Sequence, residues 1–207
     1  SGIVIRDSCG LMQPQKKHKQ TISLLISKAN SLSYLKKYNQ AKATYAKALT
    51  LAEVNSADVY VSAIYNTLGI LAIKQGEYKL AKKHLINGLQ LSQTISRRSG
   101  QIVAGLQLLR LSILINDPML YDRLHYRISR LILASDNEVR HAYLFWIEKA
   151  QQVSKGKMLS EAEKVQLSKG LKKIESTSIG LYNQLVETLA KPLGIDSTPI
   201  IKEYSVY

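Results

Sequence analysis

The register at which this chain matches itself constrains its fold more than any other feature. Displaced by forty residues, Leu25 falls on Tyr65, Ala29 on Gly69, Leu32 on Ala72, Tyr38 on Tyr78, Ala41 on Ala81, Tyr45 on Leu85, Ala48 on Gly88 and Leu49 on Leu89. Small and apolar positions coincide in size and order. An internal period of this length implies stacked supersecondary units, each too small to bury its own apolar face and therefore dependent on its neighbours.

Within each unit the apolar residues recur at three- and four-residue steps, the signature of an amphipathic helix. Tyr65, Leu68, Gly69 and Ala72 share one face; Gly76 breaks the pattern; Tyr78, Ala81, Leu85, Gly88 and Leu89 then set up a second apolar face, with lysines and His84 opposite. Each unit therefore reads as two antiparallel helices joined by a tight turn. Gly69 and Ala81 are small where the two backbones must approach, which predicts a close crossing there.

A third unit is expected from Gly105 to about Ala134, displaced by forty-three residues, with Leu108, Leu111, Ser112 and Ile115 in the first-helix positions and Tyr121, Leu124, Ile128 and Ile132 in the second. Leu124 takes the place of the small Ala, so this pair is expected to cross more widely. A fourth rests on Trp146, Ala150, Val153, Leu159 and Ala162. Helices over 160–174 and 177–190 then suit a capping segment, the last stopped by Pro192 and Gly194. Residues 1–20 read as a flexible arm, with Thr21 as the first N-cap, and 193–207 as a tail. The expected solenoid occupies 21–192, with units near 22–54, 62–94, 105–135 and 143–173 and a capping helix at 177–190.

These residues resemble the tetratricopeptide repeat, in its longer-period variety. Tyr65, Leu68, Gly69, Gly76, Tyr78, Ala81, Leu85 and Leu89 follow that family's order, with Gly88 in place of its last Ala; the first unit departs at Lys28 and at Lys36, where a Leu and the turn Gly are expected. The resemblance implies an all-α fold, an α-solenoid of stacked antiparallel helix pairs with C-terminal capping helices, and a non-enzymatic role in binding a protein or peptide as an adaptor, scaffold or assembly subunit. It also implies that the first helix of each pair lines a concave groove, which selects Asn30, Tyr34, Asn66, Lys74 and Arg110 as peptide-contacting residues. In family members that hold a peptide's terminal carboxylate, Lys and Asn at set positions form a clamp. Asn30 falls on the clamp's Asn position, but Ile26 and Thr67 stand where its Lys and second Asn belong, so the full clamp is broken.

Composition sets the alternative. The formal net charge is +14, which favours anionic partners, and between Ser8 and Ala52 there is no Asp or Glu. Lys42, Lys79, Lys82, Lys83, Arg97, Arg98, Arg123 and Arg127 are expected to form a basic surface on the outer side. That surface supports a second reading: a nucleic-acid-associated subunit, or the ligand-sensing region of a transcriptional regulator, contacting DNA through phosphates and with strong salt dependence. Docking on anionic lipid is a third and weaker option.

Chemistry finds little footing. Cys9 is the only cysteine, so there is no intramolecular disulfide and no Cys-based zinc site. His18, His84, His125 and His141 do not fall at ligand spacing, and no phosphate loop, nucleophile elbow or HExxH occurs. No enzyme activity, metal or cofactor is expected. No run of about twenty apolar residues exists, and the start, SGIVIRDSCGLM, is too short and too quickly polar for a signal peptide. An intracellular, cytoplasmic location follows as the expectation, or a nuclear one in a eukaryote. Trp146 is read as a packing residue, not as a platform for a base.

Overall fold

A computed structural model describes residues 14–198. Among these the chain is all helical. The elements are α1 (Pro14–Tyr34), α2 (Tyr38–Val54), α3 (Asp58–Lys74), α4 (Tyr78–Thr94), α5 (Arg98–Leu114), α6 (Pro118–Leu133), α7 (Glu138–Ser154), α8 (Glu161–Thr177), α9 (Ile179–Leu185) and a π-helical turn at Val186–Ala190. Consecutive helices pack against one another from α1 through α9, the connectivity of a solenoid.

The turns explain the regularity. Lys36, Ser56, Gly76, Ser96 and Asn116 all have positive φ, between 49° and 73°, and stand twenty residues apart. Each allows the same closing bond, in which the amide of the following residue reaches back five positions: Lys37 to Leu32, Ala57 to Ala52, Glu77 to Ala72, Arg97 to Ser92 and Asp117 to Ser112, at 2.8–2.9 Å. This is the wrapped helix end that satisfies last-turn carbonyls. Only Gly76 occupies the left-handed conformation without a Cβ penalty. The other four residues carry the strain because the helices on both sides are fixed by packing.

The turns also correct the third unit. α5 and α6 begin forty residues after α3 and α4, at Arg98 and Pro118, so the forty-three-residue displacement and the Gly105 start do not describe the helices. Tyr121, not Leu124, takes the position of Ala81. The wide crossing expected from Leu124 is replaced by a close approach elsewhere: a Cβ at Gly105 would lie 2.3 Å from Ile128 Cδ1. In the second pair the close approach falls where the sequence placed it. A Cβ at Gly69 would lie 2.5 Å from Leu85 Cγ and 3.4 Å from the Ala81 carbonyl oxygen.

Three buried clusters run along the stack. One joins α1, α2 and α3 around Ile22, Ala29, Tyr45 and Ile64. A second, with Ala81, Leu85, Leu108 and Leu111, binds the middle pairs. The third centres on Trp146 and extends through Leu167, Leu171 and Ile174 to Leu185 and Leu189. Trp146 is fully buried and its indole N–H donates to the Leu167 carbonyl at 2.9 Å, which joins α7 to α8 and leaves no ring face for a base. Ala162, one of the residues assigned to a fourth unit, is exposed.

Both expected boundaries move. Residues 14–20, assigned to a flexible arm, are the first turns of α1, and His18 Nδ1 pairs with Asn55 Oδ1 beyond the end of α2. Thr21 is inside that helix, donating to the Lys17 carbonyl, and is no N-cap. Leu193 and Ile195, placed in the tail, are buried in the third cluster. Residues 1–13 of the arm and 199–207 of the tail lie outside the described residues.

Candidate functional site

The concave side of the stack is partly filled by the chain itself. α9 and the π-helical turn pack back across it, and Gln184 is the anchoring residue. Its carbonyl accepts from Arg110 Nη1 at 2.8 Å, and its side-chain oxygen accepts from Gln107 Nε2 at 2.9 Å and from the Tyr143 hydroxyl at 3.4 Å. Gln107, Arg110 and Gln184 are all buried. The bonds from Gln107 and Arg110 span more than seventy positions of sequence, which is why repeat-by-repeat reading did not find Gln107 or Gln184. The local pattern does mark α9 as amphipathic, with Leu181 and Leu185 four apart, but not where its face docks.

Beside this contact a cavity of about 1060 Å³ remains open. Ser33 and Tyr34 of α1, Ile73 and Lys74 of α3, and Arg110 of α5 form one wall; Asn183, Gln184, Glu187 and Thr188 face them. Gly180 lets α9 approach α1, since a Cβ there would meet the Tyr34 hydroxyl at 2.3 Å. A volume of this size suits a small ligand or a short protein segment.

Of the five groove residues taken from the sequence, the structure brings three to this cavity. Tyr34, about half exposed, stands at its mouth. Lys74 lies beside it, its ammonium 5.4 Å from the Tyr34 ring centroid. Burial holds the Lys74 amine below its usual pKa; the nearby Glu187 carboxylate opposes that shift and the Arg110 charge reinforces it. Arg110 is almost wholly inaccessible, at 1% exposure, so it is not the open partner for an acidic side chain that its position suggested. Its Nε and Nη2 have no hydrogen-bond partner among the described residues. Leaving such N–H groups unsatisfied in the interior costs about 1–3 kcal/mol each.

Asn30 and Asn66 leave the site. The Asn30 side-chain oxygen accepts from the Tyr45 hydroxyl, whose pKa is pushed up to about 12, mainly by burial. Asn66 is buried; its amide donates to the Gly100 carbonyl at 3.4 Å, and it rests on the bare backbone of Gly88. It ties α3 and α4 to α5 and offers nothing to a peptide. The side-chain volume that a groove reading assigns to Asn66 is consumed by inter-pair packing.

None of the eight residues of the basic surface is buried, and six of them also bond within the fold. Lys42 pairs with Glu77 and Lys82 with Asp117, both at 2.8 Å. Forty residues apart, each bridge joins the second helix of one pair to the N-cap of the second helix of the next. Arg97 donates to the Val59 carbonyl at 2.9 Å. Arg98 holds the Leu131 and Ala134 carbonyls at the end of α6, at 2.7 and 2.8 Å. Arg127 reaches Gln101 at 3.3 Å, and Arg123 folds onto the Met119 carbonyl of its own helix. Only Lys79 and Lys83 of the eight are exposed without a bond among the described residues. Several of these cations therefore serve as inter-repeat ties or hold helix-end carbonyls while remaining at the surface.

Among the described residues no group of His, Cys, Asp and Glu is arranged to hold a metal ion, and no helix is long and apolar enough to cross a membrane. The architecture defines the class: an α-solenoid of helical hairpins with its concave side partly lined by a C-terminal segment. The tetratricopeptide repeat family profile matches residues 22–55, the span of the α1–α2 pair, and the helix pairs that follow repeat the same architecture. No curated protein and no solved structure gives a significant match. Repeats of this family generally mediate protein–protein interaction and are generally non-catalytic scaffolds.

Proposed function

We propose that this protein is an adaptor or assembly subunit that docks a segment of another protein at the mouth of the concave cavity, between the ends of α1 and α3 and the facing turn of α9. One observation carries the reading. The concave side already holds a helical segment through a backbone carbonyl and a side-chain amide, both at Gln184, and next to that segment it keeps an open, mixed polar and apolar space. Tyr34 contributes a rigid amphipathic surface of the kind enriched at binding hot spots, and Lys74 a cation.

The test uses the intact chain. Proteins retained by it are identified by mass spectrometry, and the purified partner is then titrated against the parent and against Tyr34→Ala combined with Lys74→Glu, with circular dichroism to verify folding. A loss of affinity of at least tenfold in the folded double variant supports docking at the cavity mouth. Unchanged affinity overturns it. Asn66→Ala and Arg110→Glu are unsuitable for this purpose, since both side chains are interior and their loss reports on folding.

A further inference from the structure

α6 buries one side and shows another that the stack does not use. Leu120, Tyr121, Ile128 and Ile132 are buried, while Met119, Tyr126 and Leu133 are 74%, 70% and 67% exposed. These three stand seven residues apart, about 10.5 Å along the axis for each step, and the exposed Arg123 and Arg130 fill the two intervals. At 3.6 residues per turn the five side chains fall within an arc of about 80°. α6 therefore carries a nearly straight outer stripe that reads Met, Arg, Tyr, Arg, Leu.

The repeat supplies its own control. α2, α4 and α6 begin at Tyr38, Tyr78 and Pro118, so their outer faces compare position by position at steps of forty. Asn39 and Lys79 stand where α6 has Met119, Ala46 and Ile86 where it has Tyr126, and Glu53 and Gln93 where it has Leu133. Of these six only Ile86 is a large apolar side chain, and it packs against the middle core. Polar or small residues at the outer positions are thus enough to build a pair. The large apolar groups of α6 answer to something outside the stack, and Tyr, Met and Arg are the residue types enriched at protein interfaces.

The charges narrow the occupant. The Arg130 guanidinium lies 5.7 Å from the Tyr126 ring centroid, and Arg123 Nε donates to the Met119 carbonyl at 3.2 Å, so both cations are held against the stripe. Neither forms an ion pair with a carboxylate among the described residues, and Asp122 is the one acid on the helix. A second copy is opposed: in an antiparallel pairing of two α6 helices centred on Tyr126, Arg123 of each would face Arg130 of the other. A nucleic-acid strand would engage the arginines and Tyr126 but leave Met119 and Leu133, at the two ends, without partners. A helix with apolar groups every two turns and carboxylates between them meets all five.

We infer that the outer face of α6 is a second docking surface, which takes an amphipathic helix of a partner protein whose apolar residues recur every seven positions and whose intervening carboxylates pair with Arg123 and Arg130. It shares no residue with the cavity mouth and does not depend on docking there.

The experiment titrates the full chain, labelled with carbon-13 at the methionine methyls, with a synthetic helical peptide that carries leucine at every seventh position and glutamate between. The same peptide with lysine for glutamate, and oligothymidylate, are the comparison probes. The readout is the Met119 methyl resonance, assigned from its loss in Met119→Leu. Saturable movement with the glutamate peptide, at least tenfold tighter than with the lysine peptide, is expected; Arg123→Glu combined with Arg130→Glu should reverse that preference, and Tyr126→Ala should weaken the glutamate peptide at least fivefold, with circular dichroism verifying folding. No saturable movement, equal affinity for the two peptides, or a tighter response to oligothymidylate overturns the proposal, as does movement on raising the protein concentration alone, which would give the face to a second copy. Tyr34→Ala combined with Lys74→Glu should leave the titration unchanged; loss of the response in that variant would put the peptide at the cavity mouth and also overturn the α6 surface. Failure here leaves the concave docking reading standing.

Discussion

Gly69→Ala tests the register of the whole stack, because its effect should depend on a single residue across the helix crossing. The added methyl would sit 2.5 Å from Leu85 Cγ and 2.6 Å from Leu85 Cδ2, against the roughly 3.5–4.0 Å that carbon atoms prefer. Leu85 is fully buried and has no space to swing into. Overpacking of this kind costs about 1–3 kcal/mol, while replacing a mid-helix glycine by alanine returns about 1 kcal/mol of helix propensity. The net expectation is a destabilisation of about 0–2 kcal/mol. Leu85→Ala alone should cost about 2–5 kcal/mol by leaving a cavity. In that background the Gly69 methyl meets only the Ala81 carbonyl oxygen, at an ordinary 3.4 Å, so Gly69→Ala should become stabilising by about 1 kcal/mol. The cycle thus predicts a coupling of about 1–3 kcal/mol, measured from urea unfolding of the four proteins followed by far-ultraviolet circular dichroism. Additivity within about 0.5 kcal/mol would refute the close crossing and the register on which every position in the stack depends.

Other expectations follow from the turns, the caps and the core. Ser56→Gly or Ser96→Gly relieves a left-handed non-glycine residue and should raise stability by about 1 kcal/mol in the same urea assay. Ser160→Ala removes one half of the capping box at the start of α8 and should cost about 1 kcal/mol. The Lys149 ammonium and the Ser160 backbone hold the Glu163 carboxyl down to about 2, from an ordinary 4.5. Its stabilising contribution is therefore complete above 4.5 and declines as pH falls toward 2; Glu163→Gln should remove that part of the acid sensitivity, read from urea midpoints across the acid range. As the single, fully buried tryptophan, Trp146 should emit at short wavelength and resist quenching by acrylamide until α7 and α8 separate.

The periodic part of this architecture was legible because its cause is local. Tyr38, Ala41, Tyr45 and Ala48 against Tyr78, Ala81, Leu85 and Gly88 announce the same helix face twice, and Gly69 with Ala81 located a crossing that the structure contains. The third pair was misregistered because its small residue migrates: Gly105 with Ile128 does there what Gly69 with Leu85 does in the second. Alignment by the position of the small residue then slips by three. Residues 14–20 lacked an apolar stripe, yet they continue a helix already nucleated by Ile22, Ala29 and their partners.

The site was less legible, for a different reason. Position within a repeat says which side a residue starts on, but not what later elements cover it. Asn66 is drawn into the interior by Gly88, a partner within the same pair. Arg110 is covered by Gln184, which has no repeat counterpart at all. The basic residues show the same limit: their positions did not reveal that Lys42 and Lys82 pair with Glu77 and Asp117 at the next N-cap.

The return of α9 alters how such a stack holds together. A solenoid whose units touch only their neighbours behaves as a one-dimensional array and can fray from either end at little expense to the middle. Here the Gln184 contacts reach α5 and Gly180 reaches the tip of α1, so the last segment fastens the first and central pairs at once. Opening one end then loosens the other. The array thus carries ties across non-adjacent pairs as well as between neighbours, and displacing α9 would remove them.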